Sequence, residues 1–179
     1  MASEMLKQKS YVSDRVSTLK PSGIRKFFDV AATMKDVLSL GIGEPDFDTP
    51  KPVVDAGVRS LERGETHYTS NAGLFELRKA LSEHIERLYG VSYDPATEII
   101  ITVGGSEALY LSATALLNPG EEMLIPTPCF VSYQAEAILA GGAAVEIPST
   151  MENHFDLDPQ ALEAAVTPRS KAILLGYPN

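Results

Sequence analysis

Residues 102–108 read Thr-Val-Gly-Gly-Ser-Glu-Ala, two glycines and a serine set between two apolar stretches. Ahead of them, residues 99–103 form a continuous β-branched run that suits a buried strand. Behind them, residues 107–117 are almost wholly apolar and suit a buried helix. A strand that passes through glycines directly into a helix points backbone N–H groups, and the positive end of the helix dipole, at whatever lies in front. Small residues let a phosphate come close, and the Ser106 hydroxyl adds a donor. The same residues would equally make an ordinary tight strand-to-helix turn capped by Ser106. The segment is not a nucleotide fingerprint: it lacks the G-x-G-x-x-G spacing, and no Walker lysine follows.

Residues 127–133 (Thr-Pro-Cys-Phe-Val-Ser-Tyr) follow the next apolar run, at the same edge of the expected sheet. Phe130 opens a helix in this reading and offers a flat face to a planar ring, although an aromatic residue in such a place more often packs a core. Cys129 invites a nucleophilic role, but no Cys–His arrangement supports one, and a small buried thiol is the better reading. The three histidines, His67, His84 and His154, are too scattered to suggest a metal site.

These residues need a frame to hold them. Residues 1–20 read as an arm. Ser22 is placed to cap a helix with apolar Ile24, Phe27, Phe28, Ala31 and Met34 at helical spacing. Two prolines in residues 44–50 make that stretch an ordered loop. Thr49 is then expected to cap a helix that Gly64 stops. A second helix carries Leu74, Leu77, Leu81, Ile85 and Leu88 on its inward face and Glu83 and Arg87 at i,i+4 outside, and ends at Gly90. From residue 98 strands alternate with helices: strands at 99–103, 123–125, 144–147 and 172–175, helices at 107–117 and 130–140, and one capped by Asp158-Pro159 and running to 166. Runs apolar on both faces argue for a mostly parallel sheet covered on both sides, an α/β fold.

Composition narrows the function classes. With 15 Lys+Arg against 24 Asp+Glu the net charge is −9, and no basic cluster offers a nucleic-acid partner a binding face. A single cysteine rules out an internal disulfide framework. A hydrophobic content of 44% without a run of about 20 apolar residues fits a globular protein with no membrane span and no signal peptide, read as cytoplasmic. The chain stops at residues 176–179, at the carboxyl end of a strand that lacks its covering helix, which suggests truncation.

Taken together, residues 41–50 (GIGEPDFDTP), 67–73 (HYTSNAG), 103–108 (VGGSEA), 126–133 (PTPCFVSY), 167–172 (TPRSKA) and 177–179 (YPN) occur in an order and at separations that resemble class I/II aminotransferases. These enzymes depend on pyridoxal 5′-phosphate (PLP) and have the three-layer PLP-dependent transferase fold, fold type I. The resemblance runs from Ser22 onward. Residues 19–27 (LKPSGIRKF) look closest to the aspartate- and aromatic-aminotransferase branch. The resemblance implies that residues 1–45 are an N-terminal arm and helix belonging to a small domain, and that 46–179 are the first part of the PLP-binding large domain.

It also implies roles. Gly105 and Ser106, with Glu107 beside them, match the turn that binds the PLP phosphate, and Phe130 matches the aromatic residue stacked on the pyridine ring. Many relatives carry tryptophan or tyrosine there; phenylalanine keeps the stacking and loses a polar handle. Tyr68 matches a tyrosine that reaches across a homodimer interface to the partner's phosphate; alternatively, it is a loop tyrosine packed on its own domain. Gly43 matches the glycine whose N–H helps hold the substrate α-carboxylate, though it would also serve a simple turn. Ile24 lies where an N-terminal helix flanks the substrate side chain. No catalytic residue is matched within the chain. Asn179 is the neighbour of the family's ring-oxygen asparagine, and no lysine here substitutes for the one that holds PLP covalently; Lys171, for example, opens a strand at the end opposite the cofactor.

The activity implied for the full-length parent is ping-pong transfer of an amino group between an amino acid and a 2-oxo acid. The chain alone is expected to be inactive, to bind PLP weakly if at all, and to associate through exposed sheet edges and apolar faces. Rival readings are a fold-type-I lyase, of the carbon–sulfur or aminocyclopropane-carboxylate-synthase kind, a non-catalytic aminotransferase-like regulatory domain, and a plain structural α/β domain.

Overall fold

The structure is a computed structural model that describes residues 11–19, 23–36, 38 and 45–177; the side chains of residues 24–26 are outside the description. The expected cap at Ser22 therefore lies outside the described residues. The chain divides into two compact units, Gly23–Thr102 and the remainder (Met1–Ser22 with Val103–Asn179).

The second of these contains helix α1 (Asp14–Ser17) and then, from residue 103 on, the α/β region: α5 (Gly104–Leu116), β1 (Glu122–Thr127), α6 (Ser132–Leu139), β2 (Ala143–Pro148), a 3₁₀ turn (Met151–Asn153), α7 (Pro159–Ala165) and β3 (Ser170–Ile173). The strands lie in the order β2-β1-β3, all parallel. Each crossover carries a helix, as parallel pairing requires. The register sets Met123 opposite Ala144 on one side and Ala172 on the other.

The central strand β1 forms the core. Met123, Leu124 and Ile125 are buried. Met123 and Ile125 pack with Ala113 and Leu117 of the α5 side and Ala137 of α6. Strand alternation sends Leu124 to the opposite face. Helix α7 starts as expected, with the Asp158 carboxylate accepting the Gln160 N–H at 2.9 Å and Pro159 in the first turn. The short α1 is tied to the end of α6, where Arg15 Nη1 donates to the Leu139 carbonyl at 3.2 Å; a cation there meets the negative end of the helix dipole.

The amino end of β1 carries a buried carboxylate. Glu122 accepts from Thr167 Oγ1 at 2.6 Å and from Arg169 Nε at 2.9 Å, and its N–H donates to the Arg169 carbonyl at 2.8 Å. Thr167, then Arg169, holds its carboxyl below the usual glutamate range. A carboxylate whose folded pKa is depressed stabilises the fold above its unfolded value of about 4.3. That contribution is lost as the pH falls toward the lowered folded value. Glu122→Gln is therefore expected to melt a few degrees below wild type at pH 6, the two curves converging in acid. Thermal melts from pH 6 down to 3 check this; a gap that stays constant across that range would contradict it.

The other unit, Gly23–Thr102, contains α2 (Gly23–Ala31), α3 (Lys51–Glu62) and α4 (Phe75–Tyr89). Helix α3 begins one residue later than expected, so Pro50 is the N-cap and Thr49 makes no cap bond. From one position further out its hydroxyl cannot reach the first-turn N–H groups. The stop signals hold: Gly64 has φ +74° and Gly90 caps α4 at φ +68°.

Helix α4 bears out only part of the expected inward face. Leu81 and Ile85 are half-buried, Leu74, Leu77 and Leu88 are about half exposed, and the fully buried positions are Arg78 and Ser82. Arg78 Nη1 donates to the carbonyls of Pro95 (2.5 Å) and Ala96 (3.2 Å) and Ser82 Oγ to that of Tyr93 (2.5 Å), fixing the loop after α4 to the helix. Helical spacing shows which side chains share a face, not what covers it. On the outer side Glu83 pairs with Lys79 at 3.8 Å, and Arg87 meets His84 at 2.8 Å, in place of the expected Glu83–Arg87 pair.

Residues 99–103 are not a strand. A strand needs a hydrogen-bonded neighbour, and the ladders of this sheet join only β1, β2 and β3. The Ile101 N–H donates instead to the Ala72 carbonyl at 3.0 Å. The approach depends on Gly73, which has φ +90° and where a Cβ would lie 2.7 Å from that of Ile101.

Candidate functional site

Helix α5 starts earlier than its apolar run implied. Val103 is the N-cap, and Gly104, Gly105 and Ser106 form the first turn. Ser106 is thus not the cap, and no side chain caps the helix from Val103. The carboxylate of Glu107 instead reaches back to accept the Val103 N–H. This resembles the return arm of a capping box and fixes the chain as it enters the helix. The first N–H groups of an α-helix have no partner within it, so those of Gly105 and Ser106 are directed outward with the positive end of the dipole.

The space in front of these groups is open. A Cβ added at Gly104 or Gly105 would meet nothing within 4 Å, and residues 104–107 are all exposed. An anion can approach the backbone here without displacing a side chain, and the one acidic side chain of the first turn is bound to Val103. The turn therefore fits a phosphate.

Phe130 stands in the loop between β1 and α6, two residues ahead of the helix rather than opening it. The residue is 49% exposed. The Phe130 and Tyr133 rings form a T-shaped pair, with centroids 5.9 Å apart and planes at 78°. Phe130 thus has surface left to offer a flat ligand. Helices α5 and α6 pack against each other, so the glycine turn and the Phe130 loop belong to the same unit. Cys129, beside Phe130, packs against the core cluster. Burial, aided by the Glu146 carboxylate, pushes its thiol pKa up, which disfavours a reactive thiolate.

The other matched residues lie elsewhere. Tyr68 is in the Gly23–Thr102 unit and fully exposed. Gly43 and the side chain of Ile24 lie outside the described residues, as does Asn179. Lys171 is in β3, near its amino end, away from the carboxyl end of the parallel sheet where Phe130 sits. Among the described residues no group of His, Cys, Asp and Glu is arranged to hold a metal. Sequence reasoning did not single out Tyr133 or the Glu107–Val103 bond; an aromatic three residues after Phe130 and an acid four residues after the N-cap were the available signals.

Residues 35–179 match the model of the family described as aminotransferase class I and II. The chain belongs to that family. It is 48% identical over 167 residues to an aspartate aminotransferase of Pyrococcus abyssi, an alignment that takes in 93% of this chain and 43% of that protein. It is 45% identical over 168 residues to an aromatic-amino-acid aminotransferase of Thermococcus litoralis, covering 94% and 43%. Among solved structures, an aspartate aminotransferase of Thermus thermophilus with maleate superposes at a TM-score of 0.88 and 40% identity, covering 96% of this chain and 46% of that one. The fold is accordingly that of the fold-type-I PLP-dependent transferases, and the chain spans less than half the length of the curated aminotransferases it matches. No helix among the described residues is long and apolar enough to cross a membrane.

Proposed function

We propose that the whole protein is a PLP-dependent aminotransferase that moves an amino group between an amino acid and a 2-oxo acid. The observation that carries this reading is the open first turn of α5, free of side chains at Gly104 and Gly105, in a chain of the aminotransferase class I and II family. The relatives named above are aspartate and aromatic aminotransferases, which favours transfer over a lyase reaction.

In this reading the N–H groups of Gly105 and Ser106 and the Ser106 hydroxyl hold the phosphate, each a hydrogen bond to a charged acceptor. Glu107 keeps its carboxylate on Val103 and so fixes the turn rather than touching the anion. The exposed side of the Phe130 ring covers one face of the pyridine and excludes water from it. When bound, PLP supplies the electron sink that lets the α-proton of the amino acid leave. Gly43 contributes an N–H to the substrate carboxylate, and Ile24 flanks the substrate side chain. Tyr68, fully exposed here, extends to the phosphate site of a second protomer in a homodimer. None of the chain's lysines takes the covalent role. Residues 1–45 go with the small domain and 46–179 with the large, PLP-binding domain of a cytoplasmic enzyme of amino-acid metabolism.

The test is to add PLP to the whole protein, record the visible spectrum, and look by mass for a borohydride-trapped adduct. A protein-dependent band and a trapped adduct are expected. Absence of both would overturn the reading.

A further inference from the structure

Phe130 is a half-exposed loop residue, yet a face that orients a flat ligand must itself be held still. Its loop is anchored at the start of α6, where the Tyr133 N–H donates to the Phe130 carbonyl at 3.1 Å. The Phe130 and Tyr133 rings meet in a T-shaped pair, an arrangement that aromatic quadrupoles favour. Tyr133 also has a second contact. A Cβ on Gly176 would lie 3.2 Å from Tyr133 Cε2 and 3.3 Å from its Oη, so the tyrosine ring rests against bare backbone just beyond β3. Tyr133 is half-buried and packs against the core cluster of β1, α5 and α6. It therefore links the core cluster to the Phe130 ring.

We propose that Tyr133 is a positioning residue: in contact with both the Gly176 backbone and the Phe130 ring, it fixes the angle of that ring and through it the seating of the flat cofactor. This inference rests on the reading above that Phe130 faces PLP. Gly176 belongs to the same device, because a side chain there would crowd the Tyr133 ring and displace it.

The experiment is a PLP titration of the whole apo-protein by absorbance, with the circular dichroism of the bound cofactor as a second readout. Tyr133→Leu is expected to weaken PLP binding about three- to ten-fold, the scale of one edge-to-face aromatic contact, and to change the dichroic band. Tyr133→Phe keeps the ring and is expected to behave as wild type. Gly176→Ala is expected to shift affinity and dichroism in the same direction as Tyr133→Leu, and it decides the matter if the leucine variant fails to fold. In a Phe130→Ala background, Tyr133→Leu should add no further loss, because its partner is already gone. Wild-type affinity and dichroism in both Tyr133→Leu and Gly176→Ala would overturn the inference. So would an undiminished effect of Tyr133→Leu in the Phe130→Ala background. A wild-type protein that does not bind PLP is a different result, and removes the functional reading itself.

Discussion

Gly105→Asp in the whole protein is expected to lower PLP affinity by about two orders of magnitude or more while leaving the apo-protein as stable as wild type or slightly more so. The two halves of this result come from different physics. An aspartate Cβ at position 105 meets nothing within 4 Å, and the glycine there does not have a positive φ, so the apo fold accepts the side chain without strain. Replacing a glycine in a helix by aspartate gains only about a few tenths of a kcal/mol in helix propensity, and an acid in the first turn gains about 0.3–1 kcal/mol from the dipole. The same carboxylate fills the space through which a phosphate would reach the Gly105 and Ser106 N–H groups. Losing a hydrogen bond to a charged group costs about 1.5–3 kcal/mol, and repulsion between anions adds to it. Differential scanning fluorimetry of the apo-protein beside a PLP titration separates the two. Unchanged PLP affinity would show that the turn does not hold the phosphate.

Phe130→Ala is the second large effect. Removing a ring on which a heterocycle stacks costs roughly 1–3 kcal/mol of binding, taking base–aromatic stacking as the guide, or about five- to a hundred-fold in affinity. Because Phe130 is half exposed, the variant should lose less stability than the about 3–5 kcal/mol typical of emptying a buried aromatic site. Phe130→Trp keeps the stacking face and should restore binding. A Phe130→Ala protein that binds PLP as wild type but melts like a core variant would assign Phe130 to packing alone.

Much of the α/β region was legible because its signals are local. The apolar run at β1 and the alternation with α6, β2 and α7 follow from side-chain period and from caps such as Asp158. What sequence reasoning missed is tertiary. Residues 99–103 have the composition of a buried strand, but composition does not supply a neighbouring strand, and none of β1, β2 and β3 pairs with them. The apolar stripe of α4 was visible; that the helix would bury Arg78 and Ser82 against the 93–96 loop was not, since those bonds depend on where that loop returns. At the candidate site the glycines and Phe130 stood out by type. The return of Glu107 to Val103 shows only in three dimensions, because it depends on the helix beginning at Gly104 rather than Glu107. The contact of Tyr133 with Gly176 joins residues far apart in the chain and has no sequence signature.

The most direct measurement is a crystal structure of the whole protein grown with PLP. Phosphate oxygens are expected at about 2.7–3.2 Å from the backbone nitrogens of Gly105 and Ser106, with the pyridine ring lying on the free side of Phe130. A cofactor bound with its phosphate away from the start of α5, or with Phe130 turned from the ring, would contradict the account.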